Sequence, residues 1–565
     1  MKKKWLSRIL STIMAAVLVA GLLTGCSQNE DDKKTTQGQQ STTKGEESPS
    51  QSQENQESTG AEDEKIEITY PLDTKVDKLS IFVYDGLPVA DGYAGPDESP
   101  FHSGLEKRTI DIDWRFPAIG SDAGTILNLL WLDKEHPNIV YGACADVTKT
   151  VEWYEDGLIY DLTEYVPKYA PDYWEYINRP ENAEDAKNVK TDDGKILALY
   201  GFSESDYTAS YVGPVIRQDW LDECGLQAPR TLEEWENVLV KFKEKYNATF
   251  GFRRSRYNAG GGIASGVGAQ APLNVRFYLD GDKVCFGNIG PEWKAMLEVL
   301  HRWYDMGLLD PDFATANDKA VRAKALNGEI GVSFTAMSQL TNFVVDAEKE
   351  NTGAKWVGLQ FPATEVGAPI TYHRVARSLV SPYGAVITKQ CTEEELIAAL
   401  QFLNYGYTKE GMMYHNFGEE GVTYTVDENG LVTWTELVSG DEGGIDAAAR
   451  KYTGVHTGTM STIQMEQFVK LKNSKEAGEA AYTWVENSDA KKYQMPTVVM
   501  TTEEDEKYAA LASPISTYVE EMALSFITGK VSLDKYEEYE ATLKGMGLQQ
   551  CIDIQQAAVD RYFSR

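Results

Sequence analysis

The sequence predicts an α/β fold, because strand and helix patterns alternate along the chain. Leu79–Val83 is an uninterrupted run that predicts a first strand. Residues 110–114 alternate between apolar and acidic side chains and predict a second strand. Apolar residues then recur at helical spacing over residues 125–136, and a third strand follows at 139–141. This order is typical of a mostly parallel sheet covered by helices.

Helix-start signals continue the pattern and predict a helix-rich C-terminal end. Thr231 with Glu234, and Thr392 with Glu395, form capping boxes in which each side chain can bond the other residue's backbone N–H. Two further helices are predicted at residues 291–306 and 513–526. Strands are predicted between the helices at residues 195–200, 215–217, 329–334 and 385–388, with a hairpin of residues 275–279 and 283–286.

The first 26 residues predict a lipoprotein signal peptide. Lysines at positions 2–4 precede a short apolar segment, which ends in Leu-Leu-Thr-Gly-Cys at residues 22–26. This ending is similar to a bacterial lipobox, in which Cys26 becomes the mature N-terminus and carries acyl chains such as palmitate. We therefore expect a signal peptide over residues 1–25 and lipid anchoring at the outer face of the cytoplasmic membrane. A single spanning helix with an incidental cysteine is the alternative.

Composition separates a tether from a globular body. Residues 26–64 are rich in polar and charged side chains and almost lack apolar ones, which predicts a disordered, lipid-anchored tether. The whole chain of 565 residues is 42% hydrophobic and 25% charged, as is ordinary for globular proteins. Its formal net charge of −33 argues against nucleic acid and anionic lipid as partners, so the membrane is expected to be contacted through the anchor only.

The sequence carries no local motif for a metal, a cofactor or covalent catalysis. None of the six histidines forms H-x-H or H-E-x-x-H, and neither G-x-S-x-G nor a Walker A motif occurs. The six cysteines contain no C-x-x-C pair, so those beyond Cys26 are expected to be buried free thiols, with one disulfide left open. We therefore expect no cofactor, no metal ligands and no catalytic residues.

Aromatic residues are the positive signal for binding. The chain has 31 tyrosines and 12 tryptophans, whose flat faces and polar groups suit ligands with C–H faces and hydroxyls, although core packing competes for each ring. In open α/β sheets ligands bind beyond the carboxyl ends of strands, here the loops after Val83, Tyr141, Arg217 and Phe334. The candidate ligand-binding residues are Tyr84, Asp85, Trp114, Tyr141, Trp153, Tyr211, Arg217, Phe334, Tyr372, Arg374 and Trp434.

Seven sequence phrases, taken in their order and spacing, resemble one protein family. The phrases are residues 156–163, 193–196, 216–226, 304–313, 404–411, 416–424 and 546–562. They resemble the extracellular solute-binding protein family 1, and within it the large lipoprotein substrate-binding components of carbohydrate ABC importers. The resemblance extends from about residue 77 to the end of the sequence.

The resemblance implies a two-lobed, periplasmic-binding-protein-like fold (type II, maltose-binding-like) with the ligand held between the lobes. The connections between the lobes would fall near residues 202–211 and 376–384. Lobe 1 would comprise residues 77–204 and 385–455, and lobe 2 would comprise residues 205–384 and 456–565.

The resemblance also implies a function for the two lobes. They would close on a carbohydrate, most often an oligosaccharide, and the closed protein would deliver it to the permease of an ABC importer. The protein would be a monomer and would not be an enzyme. Arg217, Arg374 and Arg377 could hold the carboxylate of a uronic-acid ligand, unless they pair with the many acidic residues of the chain.

Two other functions stay open on the sequence. A surface-attached polysaccharide-degrading enzyme would need two carboxylates about 5 Å or about 6.5–9.5 Å apart across a cleft. A binding module that serves a sensor kinase would share the fold, and no sequence motif separates it from a transport protein.

Overall fold

Two β-sheets organise the part of the chain that the structure describes. The computed structural model describes residues 66–83, 99–117, 123–142, 147–251, 261–375, 377–454 and 461–565. The predicted signal peptide and tether, Cys26, Tyr84 and Asp85 lie outside these ranges. Within them, no helix combines the length and the apolar character that a membrane crossing requires.

The first sheet has strands from both halves of the chain. Among the described residues its six strands are β1 (Leu79–Val83), β2 (Ile112–Arg115), β3 (Ile139–Tyr141), β4 (Leu199–Ser203), β11 (Val380–Ile387) and β14 (Ile463–Gln464). They lie in the order β14, β4, β11, β3, β1, β2. β1 is parallel to β2 and β3, whereas β11 is antiparallel to β3 and β4. β14 pairs with β4 although the predicted boundaries assign residues 456–565 to lobe 2.

The second sheet is smaller and mixed. Within the described chain it has four strands, β5 (Val212–Arg217), β6 (Thr249–Gly251), β9 (Ile330–Ala336) and β10 (Trp356–Gly358), in the order β10, β5, β9, β6. β5 is antiparallel to β9 and β10, and β6 is parallel to β9. Two hairpins lie outside both sheets: β7 (Phe277–Asp280) with β8 (Lys283–Phe286), and β12 (Tyr424–Val426) with β13 (Val432–Trp434). The first of these confirms the predicted hairpin.

Helices cover the sheets and dominate the C-terminal end. The helices before residue 251 are α1 (Pro100–Arg108), α2 (Ala123–Leu132), α3 (Val147–Glu155), α4 (Val166–Tyr169), α5 (Pro171–Ile177), α6 (Ala183–Asn188), α7 (Asp206–Ala209), α8 (Gln218–Cys224) and α9 (Leu232–Tyr246). The next are α10 (Gly261–Ala264), α11 (Gly290–Asp305), α12 (Asp318–Leu326), α13 (Met337–Lys349), α14 (Glu393–Tyr405) and α15 (Lys409–Phe417). The last are α16 (Glu436–Ser439), α17 (Ile445–Tyr452), α18 (Glu466–Lys472), α19 (Lys475–Val485), α20 (Thr502–Ile527), α21 (Tyr536–Gly545) and α22 (Leu548–Phe563).

The predicted capping boxes form, whereas one predicted helix start is wrong. The capping boxes at Thr231 and Thr392 form and begin α9 and α14. The helix predicted to begin at residue 513 instead starts at a further capping box on Thr501 and continues through Pro514. Proline removes one backbone donor from a helix interior, but the buried side chains that follow it hold the helix together across this position.

Each sheet has its own hydrophobic core. Phe101, Tyr173 and Tyr405 are among the large side chains buried around the first sheet, and tryptophans dominate the core around the second. The second core also reaches the β12–β13 hairpin through Phe417 and Trp434. Full burial of each large apolar side chain contributes about 1.5–3 kcal/mol, so two separate cores can stabilise two separate bodies.

The cysteines of the described chain are free thiols, as predicted. Cys391 and Cys551 are buried, whereas Cys224 and Cys285 are only half-buried. Burial raises the pKa of Cys391 to about 11, so its thiol stays protonated and unreactive at neutral pH. Cys144 lies outside the described residues.

Candidate ligand-binding site

The carboxyl ends of strands in the two sheets lie on either side of one connection. β3 and β4 end at the same edge of the first sheet, at Tyr141 and Ser203, because both are antiparallel to β11. Residues 204–211 lead from this edge to the start of β5. Since β5 is antiparallel to β9, it begins beside Ala336, the last residue of β9. The space between these two strand-end edges is the candidate site.

Four side chains at the edge of the second sheet form two cation–π pairs, Arg276 with Tyr372 and Arg374 with Tyr211. We call them the arginine–tyrosine row. The Arg276 guanidinium carbon lies 4.5 Å from the centre of the Tyr372 ring, and that of Arg374 lies 4.8 Å from the centre of the Tyr211 ring. Burial raises the pKa of Tyr372, and the charges of Arg276 and Arg374 oppose this rise, so both guanidinium groups lie near its phenol. Tyr211 immediately precedes β5, which fastens the row to the strand-end edge.

Buried polar atoms without hydrogen-bond partners flank the inner end of the row. Arg276 donates from Nη1 to the carbonyl oxygen of Gln270, whereas its Nη2 is shielded from solvent and has no partner among the described residues. The same is true of the side-chain oxygens of Gln270, Asn274 and Thr371. Buried polar atoms in folded proteins are nearly always bonded, so this concentration marks a place that a ligand or water can fill.

His373 ties the row to the core of the second sheet. Its ring lies 5.1 Å from the Phe361 ring, and its Nε2 lies 2.6 Å from Ser488 Oγ. Burial lowers the pKa of His373 to about 4, so the ring is neutral at physiological pH. Its Nδ1 is buried and has no partner in the described chain. Packing of His373 therefore holds the segment with Tyr372 and Arg374 in place, and the neutral histidine adds no charge beside Arg276.

Several predicted site residues lie in or beneath the row. Tyr211, Tyr372 and Arg374 form three of its four members. Phe334 lies below it in the core, with its ring 5.7 Å from that of Phe361. A Cβ atom at Gly262 would come within 2.3 Å of the Phe334 ring, so α10 can approach the sheet only because this position is glycine.

The structure places Arg217 at the opposite end of β5 from Tyr211. Its Nη2 lies 2.6 Å from Asp219 Oδ2, and its guanidinium carbon lies 4.1 Å from the centre of the Trp220 ring. The sequence-based prediction treated the carboxyl end of every strand as facing one side. Because β5 is antiparallel to its neighbours, its carboxyl end is at the far edge of the sheet, away from the strand ends of β9 and β10.

Trp114 and Tyr141 come together on the first sheet. Both are buried and line a narrow crevice that His415 and Ser461 also border. Trp114 donates from Nε1 to Glu106 Oε1 at 2.9 Å. These residues lie at the strand-end edge of the first sheet, and their rings serve the core as well.

Trp153 and Trp434 are buried in packing contacts of their own. The Trp153 ring lies 5.2 Å from that of Trp131, next to the first sheet. Trp434 lies in the small hairpin, where its Nε1 donates to the backbone oxygen of Leu471 at 3.1 Å. These two residues therefore serve core packing, the alternative that the sequence left open for each ring.

The three arginines predicted to hold a carboxylate have different surroundings. Arg217 is paired with Asp219, as described above, and Arg377 donates from Nε to Glu184 Oε1 at 2.9 Å. Arg374 lies in the row. Sequence reasoning missed Arg276, because nothing in its local sequence distinguishes it from a surface arginine before a hairpin.

The connection between the sheets is bonded to the start of α18. Ser205 donates to Glu466 Oε2 at 3.1 Å, and the Glu466 backbone N–H donates to Glu204 Oε2 at 2.6 Å. The Tyr207 and Tyr482 rings pack with centres 4.2 Å apart. These contacts attach residues 204–211 to helices α18 and α19, so any relative motion of the sheets must act on them.

A separate groove contains an arginine that is already paired with acidic side chains. It encloses about 780 Å³ and is bordered by Arg108, Glu410, Glu419 and the β12–β13 hairpin. Arg108 lies 3.7 Å from Glu410 and 3.8 Å from Glu419. No group of three or more His, Cys, Asp and Glu side chains in the described residues is arranged to hold a metal ion. The arginine–tyrosine row is therefore the stronger candidate site.

Comparison with known proteins agrees with this architecture. The family model for bacterial extracellular solute-binding proteins matches residues 135–413. The polygalacturonan/rhamnogalacturonan-binding protein YtcQ of Bacillus subtilis is 24% identical over 345 residues, which cover 59% of this chain and 65% of YtcQ, less than two thirds of its length. The fructooligosaccharide ABC transporter substrate-binding protein FusA of Streptococcus pneumoniae is 23% identical over 540 residues, which cover 89% of this chain and 94% of FusA.

Solved structures show the same fold. The alginate-binding protein AlgQ2, solved without calcium ion, superposes with a TM-score of 0.66 at 21% identity, over 88% of this chain and all of AlgQ2. Such neighbours confirm the predicted α/β fold with two lobes. YtcQ is a binding protein and FusA is the substrate-binding protein of an ABC transporter, in agreement with the binding protein that the sequence predicts. This chain belongs to the family of bacterial extracellular solute-binding proteins.

Proposed function

We propose that this protein captures a carbohydrate, most often an oligosaccharide, between its two lobes and delivers it to the permease of an ABC importer. The arginine–tyrosine row carries the proposal, because it sets aromatic faces and guanidinium donors side by side at a strand-end edge. Tyrosine rings suit the C–H faces of sugars, and guanidinium groups donate to their hydroxyls. The names of YtcQ and FusA, which refer to pectic polymers and fructooligosaccharides, support a carbohydrate ligand.

Capture would follow from closure of the lobes around residues 204–211 and 376–384. In this proposal lobe 1 carries the first sheet and lobe 2 the second. The boundaries are those expected from the sequence except at β14, which pairs in the first sheet. An open form would bind the sugar on the row, and closure would bring the edge near Tyr141 against it. The ligand would favour the closed form because only that form makes both sets of contacts. Glu466, bonded to Ser205 and Glu204, would keep the connection in place during this motion.

Lipid anchoring and delivery complete the proposal. Acyl chains on Cys26 would hold the protein at the outer face of the cytoplasmic membrane, and residues 26–64 would act as its tether. A monomer on such a tether could pass its sugar to a membrane permease. Service to a sensor kinase is the competing role for the same binding event.

The test is calorimetry on the full-length protein in detergent with a panel of oligosaccharides. The panel contains oligogalacturonides, alginate oligomers, fructooligosaccharides and malto-oligosaccharides, and each sugar is analysed by chromatography afterwards. Micromolar or tighter binding of one class, with the sugar returned intact, is the expected result. Cleaved sugar would replace the proposal with an enzyme, and no binding across the panel would reject a carbohydrate ligand.

Delivery is tested separately in the source organism. Deleting the gene for this protein should abolish uptake of the sugar that binds, and a plasmid copy should restore it. Unchanged uptake together with a lost transcriptional response to the sugar would favour the sensor-kinase role.

A further inference from the structure

We infer that Arg276 and the polar atoms around it form a subsite for an acidic sugar, whose carboxylate pairs with the guanidinium group. The inference rests on the proposed function, since it names the chemical class of the captured carbohydrate.

Other shielded arginines have carboxylate partners. Arg217 lies 2.6 Å from Asp219, and Arg565 lies 2.5 Å from Asp192. Carboxylates are plentiful, since the chain has 87 acidic and 54 basic residues. Arg276 nevertheless forms no salt bridge with any described carboxylate, and its Nη2 has no hydrogen-bond partner there. In so acidic a protein, a shielded arginine without an acid is an exception that requires a physical reason.

No described carboxylate offsets the charge of Arg276, and this is unfavourable for a shielded group. Burial lowers the pKa of Arg276, and the neighbouring groups that favour its charge are the phenols of Tyr372 and Tyr278. Shielded charges in folded proteins are normally paired, because removing a charge from water without a partner is costly. A ligand carboxylate would supply the missing partner through charge-assisted hydrogen bonds, for which the planar guanidinium group is well suited.

The surrounding atoms suit the rest of a sugar ring. The unpartnered side-chain oxygens of Gln270, Asn274 and Thr371 can accept hydrogen bonds from hydroxyl groups. His373 is neutral and adds no competing charge. Asp206, whose charge acts on His373, is itself neutralised by Lys491 at 2.9 Å. A carboxylate also reaches this group of residues, since Glu520 Oε1 accepts from Asn274 Nδ2 at 3.2 Å.

The row also gives the ligand a direction. Arg276 lies at the inner end, and its Nη2 is shielded, so an acidic sugar would reach it while the lobes are apart. Tyr372 follows, and then Arg374 and Tyr211 at the outer end, where Arg374 is exposed. A chain of sugars would place one uronate at Arg276 and extend its next units over the tyrosine faces.

The test compares trigalacturonate with its carboxyl-reduced, neutral counterpart on the full-length protein by calorimetry. We expect trigalacturonate to bind at least about 10-fold more tightly, because the neutral sugar cannot form the charge-assisted hydrogen bond of the carboxylate. Arg276→Gln should lose about 10- to 100-fold of the affinity for trigalacturonate and little for the neutral sugar. Arg276→Lys keeps the charge but not the fork, and it should fall between the two.

Folding is controlled for in the same experiment. Arg322→Gln removes a salt-bridged arginine on α12 of the same lobe and should leave both affinities unchanged. Arg276→Gln should melt at the wild-type temperature or above, because it removes an unpaired shielded charge. If it bound trigalacturonate normally, the inference would be wrong.

The outcomes also separate this inference from the proposed function. Tight binding of neutral sugars with no preference for the acidic one would overturn the subsite and leave carbohydrate capture standing. Failure of every sugar in the panel would overturn both. A sulfated galacto-oligosaccharide that bound in place of trigalacturonate, with the same loss in Arg276→Gln, would show a site for sulfate esters and reject the carboxylate.

Discussion

The guanidinium carbon of Arg374 lies 4.8 Å from the centre of the Tyr211 ring, so the first connection contacts the segment that leads into β11 at the candidate site. Tyr211 ends the first connection and immediately precedes β5, while Arg374 lies shortly before β11. A cation–π contact of this kind contributes about 0.5–1 kcal/mol at an exposed site. Its larger effect is to hold the tyrosine face in position for a ligand.

Removing the Tyr211 ring should weaken sugar binding more than it weakens the fold. Tyr211→Ala is expected to lower affinity by about 10-fold, the loss of one stacking face, whereas Tyr211→Phe should retain most of the affinity. Calorimetry with the sugar that binds wild type measures both. Tyr169→Ala is the control, because this half-buried tyrosine on α4 stacks on Tyr165 instead. Equal affinity of Tyr211→Ala and wild type would remove Tyr211 from the site.

Arg217 should prove to be a structural residue. Arg217→Gln leaves Asp219 without its charged partner and should lower the free energy of unfolding by about 2–3 kcal/mol, toward the low end for broken buried pairs. Sugar affinity should stay within about twofold of wild type, a difference of less than 0.5 kcal/mol. Urea denaturation and calorimetry separate the two effects. A large loss of affinity in a variant that stays folded would return Arg217 to the binding site.

The same pair gives a pH dependence. Burial raises the pKa of Asp219, but hydrogen bonds from Arg217 and the Lys355 N–H lower it by more. The pKa of Asp219 is therefore below its ordinary value. A carboxyl with a lowered pKa stabilises the fold above its unfolded pKa and loses this effect as pH falls through the folded pKa. The stability difference between wild type and Arg217→Gln should therefore shrink below about pH 4. A difference that stayed constant down to pH 3 would contradict the pairing.

His102 should make the first lobe sensitive to mild acid. It is buried among aromatic rings, with the Trp114 ring centre 4.4 Å away, and neither ring nitrogen has a partner in the described chain. Burial lowers the pKa of His102 to about 3, so the unfolded chain takes up a proton below pH 6.5 that the folded chain does not. This difference should reduce stability by about 1.4 kcal/mol per pH unit between pH 6 and pH 4.

A substitution tests the assignment to His102. His102→Phe keeps the packing and removes the titrating group, so its stability should fall less steeply with acid than that of wild type. His373 and His415, whose pKa values burial also lowers to about 4, remain and supply the residual slope. Parallel pH profiles for wild type and His102→Phe, measured by urea denaturation, would show that His102 is protonated in the fold.

Cys26→Ala tests the anchor. A protein that is held by acyl chains on this thiol should lose membrane attachment when the thiol is removed. Fractionation of the source organism should move the protein from the membrane to the medium or soluble fraction, and labelling with an alkyne-tagged palmitate should disappear. Ser27→Ala is the neighbouring control, and this variant should stay at the membrane. Retention of Cys26→Ala in the membrane would favour a spanning helix.

Local patterns in the sequence determined most elements of secondary structure and the fold class. The Thr231 and Thr392 capping boxes depend on side chains three residues apart, and β1 and β3 are short apolar runs, so neighbours in sequence were sufficient. Where the pattern was ambiguous, packing decided. Pro514 predicted a helix start, yet α20 continues through it because the buried side chains beyond it belong to the same packed face.

In the candidate site too, sequence predicted some residues and tertiary packing decided others. Tyr211, Tyr372 and Arg374 could be named from the sequence because aromatic and basic residues near strand ends and connections have recognisable positions. Arg217 and Arg276 could not be judged that way. The direction of β5 within its sheet, and the lack of a salt bridge from Arg276 to any described carboxylate, depend on residues far apart in the chain. Sequence determined which side chains were available for binding. Only the tertiary structure decided which arginine has an acid beside it, because pairing is set by distances in space.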